Sequence, residues 1–304
     1  MADIKIYGTL KNATESGKIA NAAQVYDEAQ GKFQSEINTE VKSAIPPKLR
    51  IASWNVGNFS LGTSGDPTIT PETLDAMTSK WRNALNDLGA DILCTCEYNT
   101  NFMDAQDGHD AVIARDQVFN DSIFKYAEIG PEVTGSKYMQ TAIFTNIPMA
   151  NKEIVYYPQY TVKRYYEVVD IYIAGRLVKL VATHLDPNYG STPEEKAQSA
   201  ANREAQMQKL IADFGAYPYV IMCADYNVNM NYITEYDVFT EAGFSMINHG
   251  YLGNIITGGW PGESPSAPLD NIIYKGFTTN KIDVVNDATL SDHMAIFADF
   301  TMIL

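Results

Sequence analysis

Short apolar runs and longer amphipathic stretches alternate along most of the chain, from residue 49 onward. Apolar runs bounded by turn residues predict strands over residues 49–54, 91–96, 138–145, 165–173, 177–183, 219–224, 270–274 and 294–300. Helical spacing predicts helices over residues 71–88 and 193–214. Thr192 is the expected N-cap of the second helix, and Glu195 completes a capping box. Strands with intervening helices indicate a two-sheet α/β sandwich.

Residues 1–48 follow a different pattern. A strand-like run over residues 4–10 precedes apolar or small residues at intervals of three, four and seven: Ile19, Ala22, Tyr26, Ala29 or Gln30, Phe33 and Ile37. About three heptads are typical of a coiled coil, so residues 13–45 could form a homo-oligomer. An amphipathic helix packed on its own domain explains the spacing equally well. Pro46 and Pro47 end this pattern, which predicts an extension of residues 1–48 and a main domain of residues 49–304.

Acidic charge is concentrated in the main domain. The 304-residue chain has a formal net charge of −15, and the six lysines and six acids of residues 1–48 cancel one another. The whole excess therefore belongs to residues 49–304. Such a domain repels a polyanion at long range, which argues against tight non-specific binding of DNA. Turnover of nucleic acid is not excluded, because a bound cation inverts the local charge.

Other features of the composition exclude several protein classes. A hydrophobic fraction of 45% is ordinary for a packed protein. No apolar run approaches the roughly 20 residues of a membrane span, and the first residues lack the pattern of a secretory signal peptide. The three cysteines, Cys94, Cys96 and Cys223, lack zinc-ligand spacing and are expected to be buried thiols.

Polar residues cluster at the ends of the predicted strands. They are Asn55, Glu97, His184, Asp186, Asp225, Asn227, Asp270, Ser291, Asp292 and His293. Each alone is more often a cap, turn or structural residue than a functional one. Their joint occurrence, where loops meet a rigid scaffold, indicates a functional site.

In their order along the chain, these residues and their flanking sequences resemble the endonuclease/exonuclease/phosphatase superfamily. This group includes DNase I, AP endonucleases, neutral sphingomyelinases and inositol-polyphosphate phosphatases. The matching stretches are residues 50–56 (RIASWNV), 91–97 (DILCTCE), 181–184 (VATH), 224–227 (ADYN), 269–274 (LDNIIY) and 291–293 (SDH). The resemblance implies a four-layer α/β/β/α sandwich, DNase I-like, and a divalent-metal-dependent phosphodiester hydrolase.

The resemblance also implies how a metal ion is held. Glu97 is the expected principal ligand, with Asn55 beside it. Asp292 is expected to bind the same ion directly, through water, or at a second ion. Hard oxygen ligands of this kind suit Mg²⁺ or Mn²⁺.

Catalytic roles follow from the same resemblance. Asp225 would orient or deprotonate the attacking water, and Asn227 would hydrogen-bond the phosphate or that water. His293, polarised by Asp270, would stabilise the developing charge on the phosphate. His184 resembles the DNase I, sphingomyelinase and phosphatase branches, since AP endonucleases typically carry a tyrosine there.

Two further features concern the surroundings of the site. Arg203 and Gln206 resemble an Arg-x-x-Gln pair of the family, expected to orient the site, although solvated helix residues are an equal alternative. Members of the family commonly carry an arginine shortly before the aspartate that Asp270 matches, and this chain has no arginine there.

A group of tyrosines at 156, 157, 160, 165 and 166 surrounds Lys163 and Arg164. This group could stack bases beside two phosphate-seeking cations, or form plain sheet surface.

Residues 1–45, especially 17–20 and 30–38, resemble a short leader of virion and tail proteins of bacteriophages that infect gut bacteria. This implies attachment to a phage particle, with a cytoplasmic enzyme as the alternative.

The leading hypothesis for the whole chain is a DNase I-like endonuclease acting on nucleic acid, associated with a virion. The alternatives are a phosphoesterase for sugar-phosphate, phospholipid or small phosphate substrates, and a catalytically inactive structural or attachment protein of a phage particle.

Overall fold

The computed structural model describes residues 4–6, 25–27, 32–33, 47–57, 71–98, 101–102, 113–114, 123–133, 139–187, 190–228, 230–248, 257, 268–285 and 290–304. The chain divides into two compact units, one of residues 1–47 with Leu304 and one of residues 48–303. Among the described residues, no helix is long and apolar enough to cross a membrane.

The N-terminal unit contains a small antiparallel sheet of strands β1 (Ile4–Ile6), β2 (Val25–Asp27) and β3 (Lys32–Phe33). Tyr26 pairs with both Lys5 and Phe33. A continuous helix through Tyr26 and Phe33 is therefore wrong at these two segments. The aromatic and β-branched residues of β2 favour a strand, and Gly31 disfavours a helix before β3. The rest of the predicted coiled coil lies outside the described residues.

The main unit contains the remaining strands. They are β4 (Lys48–Asn55), β5 (Ile92–Tyr98), β6 (Asn101–Phe102), β7 (Ile113–Ala114), β8 (Tyr126–Ile129), β9 (Gln140–Thr145), β10 (Met149–Tyr156), β11 (Tyr165–Ile173), β12 (Arg176–His184), β13 (Val220–Asp225), β14 (Ser245–Met246), β15 (Asp270–Lys275), β16 (Phe277–Val285) and β17 (Ala295–Met302). Its helices are α1 (Pro71–Leu88), α2 (Pro193–Phe214) and α3 (Asp237–Glu241), the last preceded by a 3₁₀ helix, Met230–Tyr236. Strands β6 and β7 form a separate hairpin.

Two six-stranded sheets pack face to face, with strand orders β10-β11-β12-β13-β15-β14 and β16-β17-β4-β5-β9-β8. Side chains such as Ile51 and Ile221 fill the space between the sheets. Helix α1 covers the outer face of one sheet through Trp81, and α2 and α3 cover the other through Leu210 and Phe239. This arrangement is the predicted four-layer α/β/β/α sandwich. Because both faces of the central strands are covered, those strands are apolar along most of their length.

The two long helices have their predicted bounds, and Thr192 and Glu195 form the predicted capping box. Strands β10 and β16 were not predicted from the sequence; both lie at sheet edges and expose many polar residues. Edge strands of this kind carry no clear apolar signal because one side has no neighbouring strand. The strand predicted over residues 138–145 begins at Gln140, and residue 138 lies outside the described residues.

Strand register brings distant polar residues to one end of the sandwich. Parallel pairing of β12 and β13 places His184 opposite Asp225, and antiparallel pairing of β13 and β15 places Asp225 opposite Asp270. In the other sheet, parallel pairing of β4 and β5 places Asn55 opposite Cys96, the neighbour of Glu97. Functional side chains from five strands or strand ends therefore meet at this edge.

Candidate active site

Asn55 connects carboxylates that belong to the two sheets. Its buried Nδ2 donates hydrogen bonds to Glu97 Oε1 and to Asp225 Oδ2, both at 3.0 Å. Its Oδ1 accepts a hydrogen bond from the backbone N–H of Gly57 at 2.9 Å. In this arrangement the amide nitrogen, which cannot bind a cation, faces the two carboxylates. Direct ligation of a metal by Asn55 therefore stays a prediction.

Unusual backbone conformations occur where the site residues leave their strands. Glu97 and Asn227 have φ values of 50° and 55°, in the left-handed region that non-glycine residues rarely adopt. Gly57 has φ 54°, and a Cβ there would lie 3.1 Å from Asp292 Oδ1. Such conformations cost about 1–3 kcal/mol each and concentrate at functional sites. They turn Glu97 and Asn227 out of the regular alternation of their strands.

His293 and Asp270 form a buried charge-assisted pair. The Nδ1 atom of His293 lies 2.7 Å from Asp270 Oδ2, and its Nε2 lies 3.8 Å from Asp225 Oδ2. Burial alone would lower the pKa of His293. The charge and hydrogen bond of Asp270, with smaller contributions from Asp225 and Asp292, outweigh burial and raise this pKa to about 10. His293 is therefore protonated at neutral pH, with Nε2–H directed toward the centre of the site.

The backbone of His293 is held by two neighbouring side chains. Trp54 Nε1 donates to the carbonyl oxygen of His293 at 3.0 Å, and the N–H of His293 donates to Ser291 Oγ at 3.1 Å. Ser291 Oγ in turn donates to the carbonyl oxygen of Asn55 at 2.7 Å. These contacts fix the segment of residues 291–293 to the end of β4.

Asp225 occupies the middle of the site. Burial and the charge of Asp270 raise the pKa of Asp225 to about 7, although His293 acts in the opposite direction. Its Oδ1 accepts a hydrogen bond from the N–H of Asn227 at 2.8 Å. The Asn227 amide nitrogen donates to the carbonyl oxygen of Leu185 at 3.0 Å, which ties together the loops after β12 and β13. A carboxylate of this kind is suited to accept a proton near neutral pH.

His184 faces the same carboxylates from β12. Its Nε2 lies 3.5 Å from Asp225 Oδ2 and 4.0 Å from Glu97 Oε1. Burial, together with the positive charges of Arg164 and His293, lowers the pKa of His184 well below its ordinary value. The imidazole is therefore neutral at physiological pH. Its buried Nδ1 has no hydrogen-bond partner in the described part of the chain.

The donor set fits a divalent cation. Possible ligand atoms of Glu97, His184 and Asp225 lie within 4.8 Å of one another, as do those of Asp225, Asp270 and His293. The three carboxylates still outnumber the two positive charges at the site, the protonated imidazole of His293 and the guanidinium of Arg164. A cation would offset this anionic excess. Asp292 belongs to neither group among the described residues.

Most of the main unit matches a known protein family in sequence. Residues 52–293 match the sequence profile of the Endonuclease/Exonuclease/phosphatase family. The chain belongs to this family. The family comprises phosphoesterases, so the sequence resemblance is confirmed for the main domain. No curated protein sequence matches the chain significantly.

Several solved structures share the fold. An endonuclease/exonuclease/phosphatase protein from Beutenbergia cavernae superimposes with a TM-score of 0.63 and 15% identity, covering 84% of this chain and 72% of that one. D. rerio TDP2 complexed with a single-strand DNA product superimposes with a TM-score of 0.56 and 15% identity, covering 83% of this chain and 98% of that one. The human Nocturnin catalytic domain with a bound sulfate anion superimposes with a TM-score of 0.57 and 16% identity, covering 84% of this chain and 94% of that one. Identities this low establish the fold alone.

Arg203 and Gln206, the pair resembling that of the family, support the site from helix α2. Gln206 Oε1 accepts from the N–H of Asp186 at 2.9 Å, and its Nε2 donates to the carbonyl oxygen of Gln159 at 2.9 Å. Arg203 donates two hydrogen bonds to Glu235, at 2.9 and 2.8 Å. Both side chains are fully buried, so the alternative of solvated helix residues is wrong. Their hydrogen bonds within the described residues hold loops next to the site rather than the candidate catalytic side chains.

Loss of the Arg203–Glu235 pair is expected to destabilise the fold. Arg203→Met leaves Glu235 without its partner, and breaking a buried pair costs about 3–5 kcal/mol. Because the Glu235 side chain is 15% exposed, we expect the lower end of this range in urea unfolding. Lys209→Met is the matched control, since its ion pair with Asp213 on the same helix is more exposed and is worth about 1 kcal/mol or less. Equal losses of unfolding free energy in the two variants would contradict a stabilising role for the buried Arg203–Glu235 pair.

Arg164 is a site residue whose position the sequence did not reveal. Its side chain is 3% exposed, and Nε and Nη1 have no hydrogen-bond partner among the described residues. Burial lowers the pKa of Arg164, while the charges of Glu97, Asp186 and Asp225 act in the opposite direction. Sequence analysis noted this arginine only as a cation among tyrosines. Its location immediately before β11, which pairs with the strand of His184, was the available signal.

Proposed function

We propose that the protein is a divalent-metal-dependent phosphodiester hydrolase acting on nucleic acid, a DNase I-like endonuclease. The observation that carries this proposal is the convergence of Asn55, Glu97, His184, Asp225 and the Asp270–His293 pair at one end of the sandwich. These residues provide anionic oxygen ligands, a proton acceptor and a protonated donor within a few ångströms. A structural or attachment protein has no need for buried charges in this arrangement.

Metal binding is assigned to the anionic side of the site. Glu97 would hold the ion, with Asn55 and Asp292 as further oxygen ligands. Bound Mg²⁺ or Mn²⁺ would neutralise charge on the phosphodiester and favour ionisation of water. Both ions suit these oxygen-rich ligands.

Proton transfer is assigned to the protein's own side chains. Asp225 accepts a proton from the attacking water, whose oxygen forms a new bond to phosphorus as the ester P–O bond breaks. The departing oxygen takes up a proton from solvent and leaves as the alcohol. His293 Nε2–H donates a hydrogen bond to a phosphoryl oxygen, and Asp270 keeps this imidazole protonated. Asn227 orients the phosphate or the water. Neutral His184 can hydrogen-bond the phosphate without adding further positive charge.

Arg164 supplies a cation that the sequence had suggested was missing. No arginine lies shortly before Asp270, but Arg164 is buried, is attracted by the charges of Glu97 and Asp225, and has two nitrogens without a hydrogen-bond partner among the described residues. Burial of an unpaired guanidinium is costly, and an oxyanion of the substrate would satisfy it. We assign Arg164 to the scissile phosphate.

Nucleic acid is the favoured substrate over sugar-phosphate, phospholipid or small phosphate compounds. The His184 resemblance includes DNase I-like nucleases, and TDP2, which shares the fold, has been solved with single-strand DNA product. The net charge of −15 opposes long-range attraction of a polyanion, so binding must depend on local cations such as Arg164. Association with a phage virion and oligomerisation through residues 13–45 stay hypotheses based on the N-terminal resemblance.

Metal-dependent nicking of supercoiled plasmid is the expected activity. Purified protein incubated with Mg²⁺ or Mn²⁺ should convert plasmid to the open circular form, and EDTA should prevent this. His184→Ala should lower the rate by about 10²–10⁴-fold, as expected for loss of a group that acts at the reacting phosphate.

His249→Ala is the matched control for the histidine substitution. It removes one of the other histidines of the chain and should nick at the wild-type rate. Absence of nicking by folded wild-type protein that binds the metal would contradict the nuclease assignment. Lipid, sugar-phosphate and phosphomonoester substrates would then be tested in turn.

A further inference from the structure

The group of tyrosines around Lys163 and Arg164 divides into buried and exposed members. Tyr157, Tyr165 and Tyr166 are buried in the fold. Tyr156 and Tyr160 are 40% and 43% exposed. The interpretation of the whole group as plain sheet surface is therefore wrong for the buried members, and only the exposed tyrosines could meet a ligand.

The segment of residues 156–164 (YYPQYTVKR) joins β10 to β11 at the active-site end of the sheet. It contains Lys163 and Arg164 but no acidic residue, in a chain whose net charge is −15. Arg164 is at one end of this segment and interacts electrostatically with Glu97 and Asp225 of the active site. The segment therefore brings two positive charges, and no negative charge of its own, next to the carboxylates of the proposed site.

Buried hydrogen bonds hold the backbone on both sides of Tyr160. The carbonyl oxygen of Gln159 accepts from Gln206 Nε2 at 2.9 Å. The N–H of Thr161 donates to Asp186 Oδ2 at 2.6 Å. Gln206 and Asp186 are fully buried and are themselves joined by a hydrogen bond at 2.9 Å. The loop is thus fixed in place, and Tyr160 is presented from a rigid support.

The same hydrogen bonds place Tyr160 close to the site. Asp186, which holds the N–H groups of Thr161 and Val162, comes two residues after His184. Tyr160 itself forms no hydrogen bond, ring contact or ion pair with the described residues. Its side chain is 43% exposed, although the loop that carries it is firmly anchored.

Lys163 adds a positive charge to the segment that carries Tyr160. Its ammonium nitrogen lies 4.1 Å from the centre of the Tyr156 ring, a cation–π contact. Tyr156 also packs edge-on against Tyr165 with centroids 5.6 Å apart. These contacts hold Lys163 on the exposed face of the segment, where it could meet a second phosphate of the substrate.

We propose that Tyr160, with Lys163 three residues along the same anchored loop, forms a binding site for an unpaired nucleobase next to the scissile phosphate. Base stacking on aromatic rings is tolerant of sequence and is paired with cations that follow the backbone in proteins that bind single strands. Tyr is suited to this role because a rigid amphipathic ring loses little entropy on binding. The inference rests on the proposed nuclease function and adds a preference for single-stranded nucleic acid.

Kinetics on two oligomers test this site in the full-length protein. One is a short single-stranded thymidine oligonucleotide, and the other is an oligomer of the same length built from abasic deoxyribose phosphates. Wild-type protein should show a lower KM for the first. Tyr160→Ala should raise that KM about tenfold, which corresponds to one lost base stack, and leave the abasic KM unchanged.

Two variants separate stacking from general effects. Tyr160→Phe keeps the ring and should retain the low KM. Tyr172→Ala removes a tyrosine that is 58% exposed near the other end of β11, and should have no effect. Failure of Tyr160→Phe to retain the low KM, or an equal rise in both KM values for Tyr160→Ala, would overturn the stacking site.

The design also distinguishes failure of this inference from failure of the proposed function. Wild-type protein that cleaves both oligomers with equal KM values would overturn the base-binding site while the nuclease function stands. Wild-type protein that cleaves neither oligomer but hydrolyses methyl 4-nitrophenyl phosphate would overturn both nucleic-acid proposals. A tenfold lower KM for the thymidine oligonucleotide than for the abasic oligomer, lost in Tyr160→Ala, supports the base-binding site.

Discussion

Asp225→Asn is expected to reduce kcat for phosphodiester hydrolysis by about 10²–10⁴-fold, because the amide cannot accept the proton of the attacking water. The substitution keeps the shape of the side chain, and an amide oxygen at the Oδ1 position can still accept from the N–H of Asn227. At the Oδ2 position an amide nitrogen would face the Asn55 Nδ2, which costs about 1–3 kcal/mol. We therefore expect a folded protein with almost no activity.

The measurement is the initial rate on a short oligonucleotide at saturating metal, with thermal unfolding of the same samples. Asp213→Asn is the matched control. Asp213 accepts a hydrogen bond from Tyr166 at 2.6 Å on helix α2, remote from the proposed chemistry. Its variant should lose some stability but keep its rate. Near-wild-type turnover by folded Asp225→Asn would refute the role of Asp225 as proton acceptor.

Glu97→Gln is expected to remove both metal binding and activity. A ligand that binds only the folded state stabilises it by about 2.7 kcal/mol at one hundred times its dissociation constant. Mn²⁺ should therefore raise the Tm of wild-type protein, and this rise should be lost in the variant. Gln has the same shape as Glu, so the left-handed backbone at residue 97 need not change.

Isothermal titration with Mn²⁺ measures the affinity directly, in protein first treated with EDTA. Glu128→Gln is the control, because Glu128 is partly exposed on β8 and pairs with Lys152 rather than with the site. It should bind Mn²⁺ as the wild type does. If Glu97→Gln retains the wild-type affinity and the metal-induced rise in Tm, the principal ligand lies elsewhere in the site.

Sequence alone determined the layers of the main domain and the residues at the ends of their strands. Residues 71–88 and 193–214 have helical spacing and clear end signals, and the central strands are apolar because both of their faces are covered. These are local properties that each segment carries by itself. The exposed edge strands β10 and β16 were missed because they lack such a signal.

The N-terminal pattern shows the limit of local periodicity. Spacing of seven residues between Tyr26 and Phe33 suits one face of a helix, but these residues pair across two short strands. A sequence interval does not distinguish positions on one helix face from positions brought together by a turn. That distinction depends on which hydrogen bonds the backbone can form with distant segments such as β1.

Only the tertiary structure decided how the site residues relate to one another. The 2.7 Å contact between His293 and Asp270, and the position of Asn55 between carboxylates of both sheets, depend on strand register over long sequence distances. Burial of Arg164, with two nitrogens that have no partner among the described residues, is also a property of the folded chain, because a side chain loses water only when remote segments close around it. Sequence therefore identified the chemical groups, and the packing of the two sheets determined their distances, charges and pKa values.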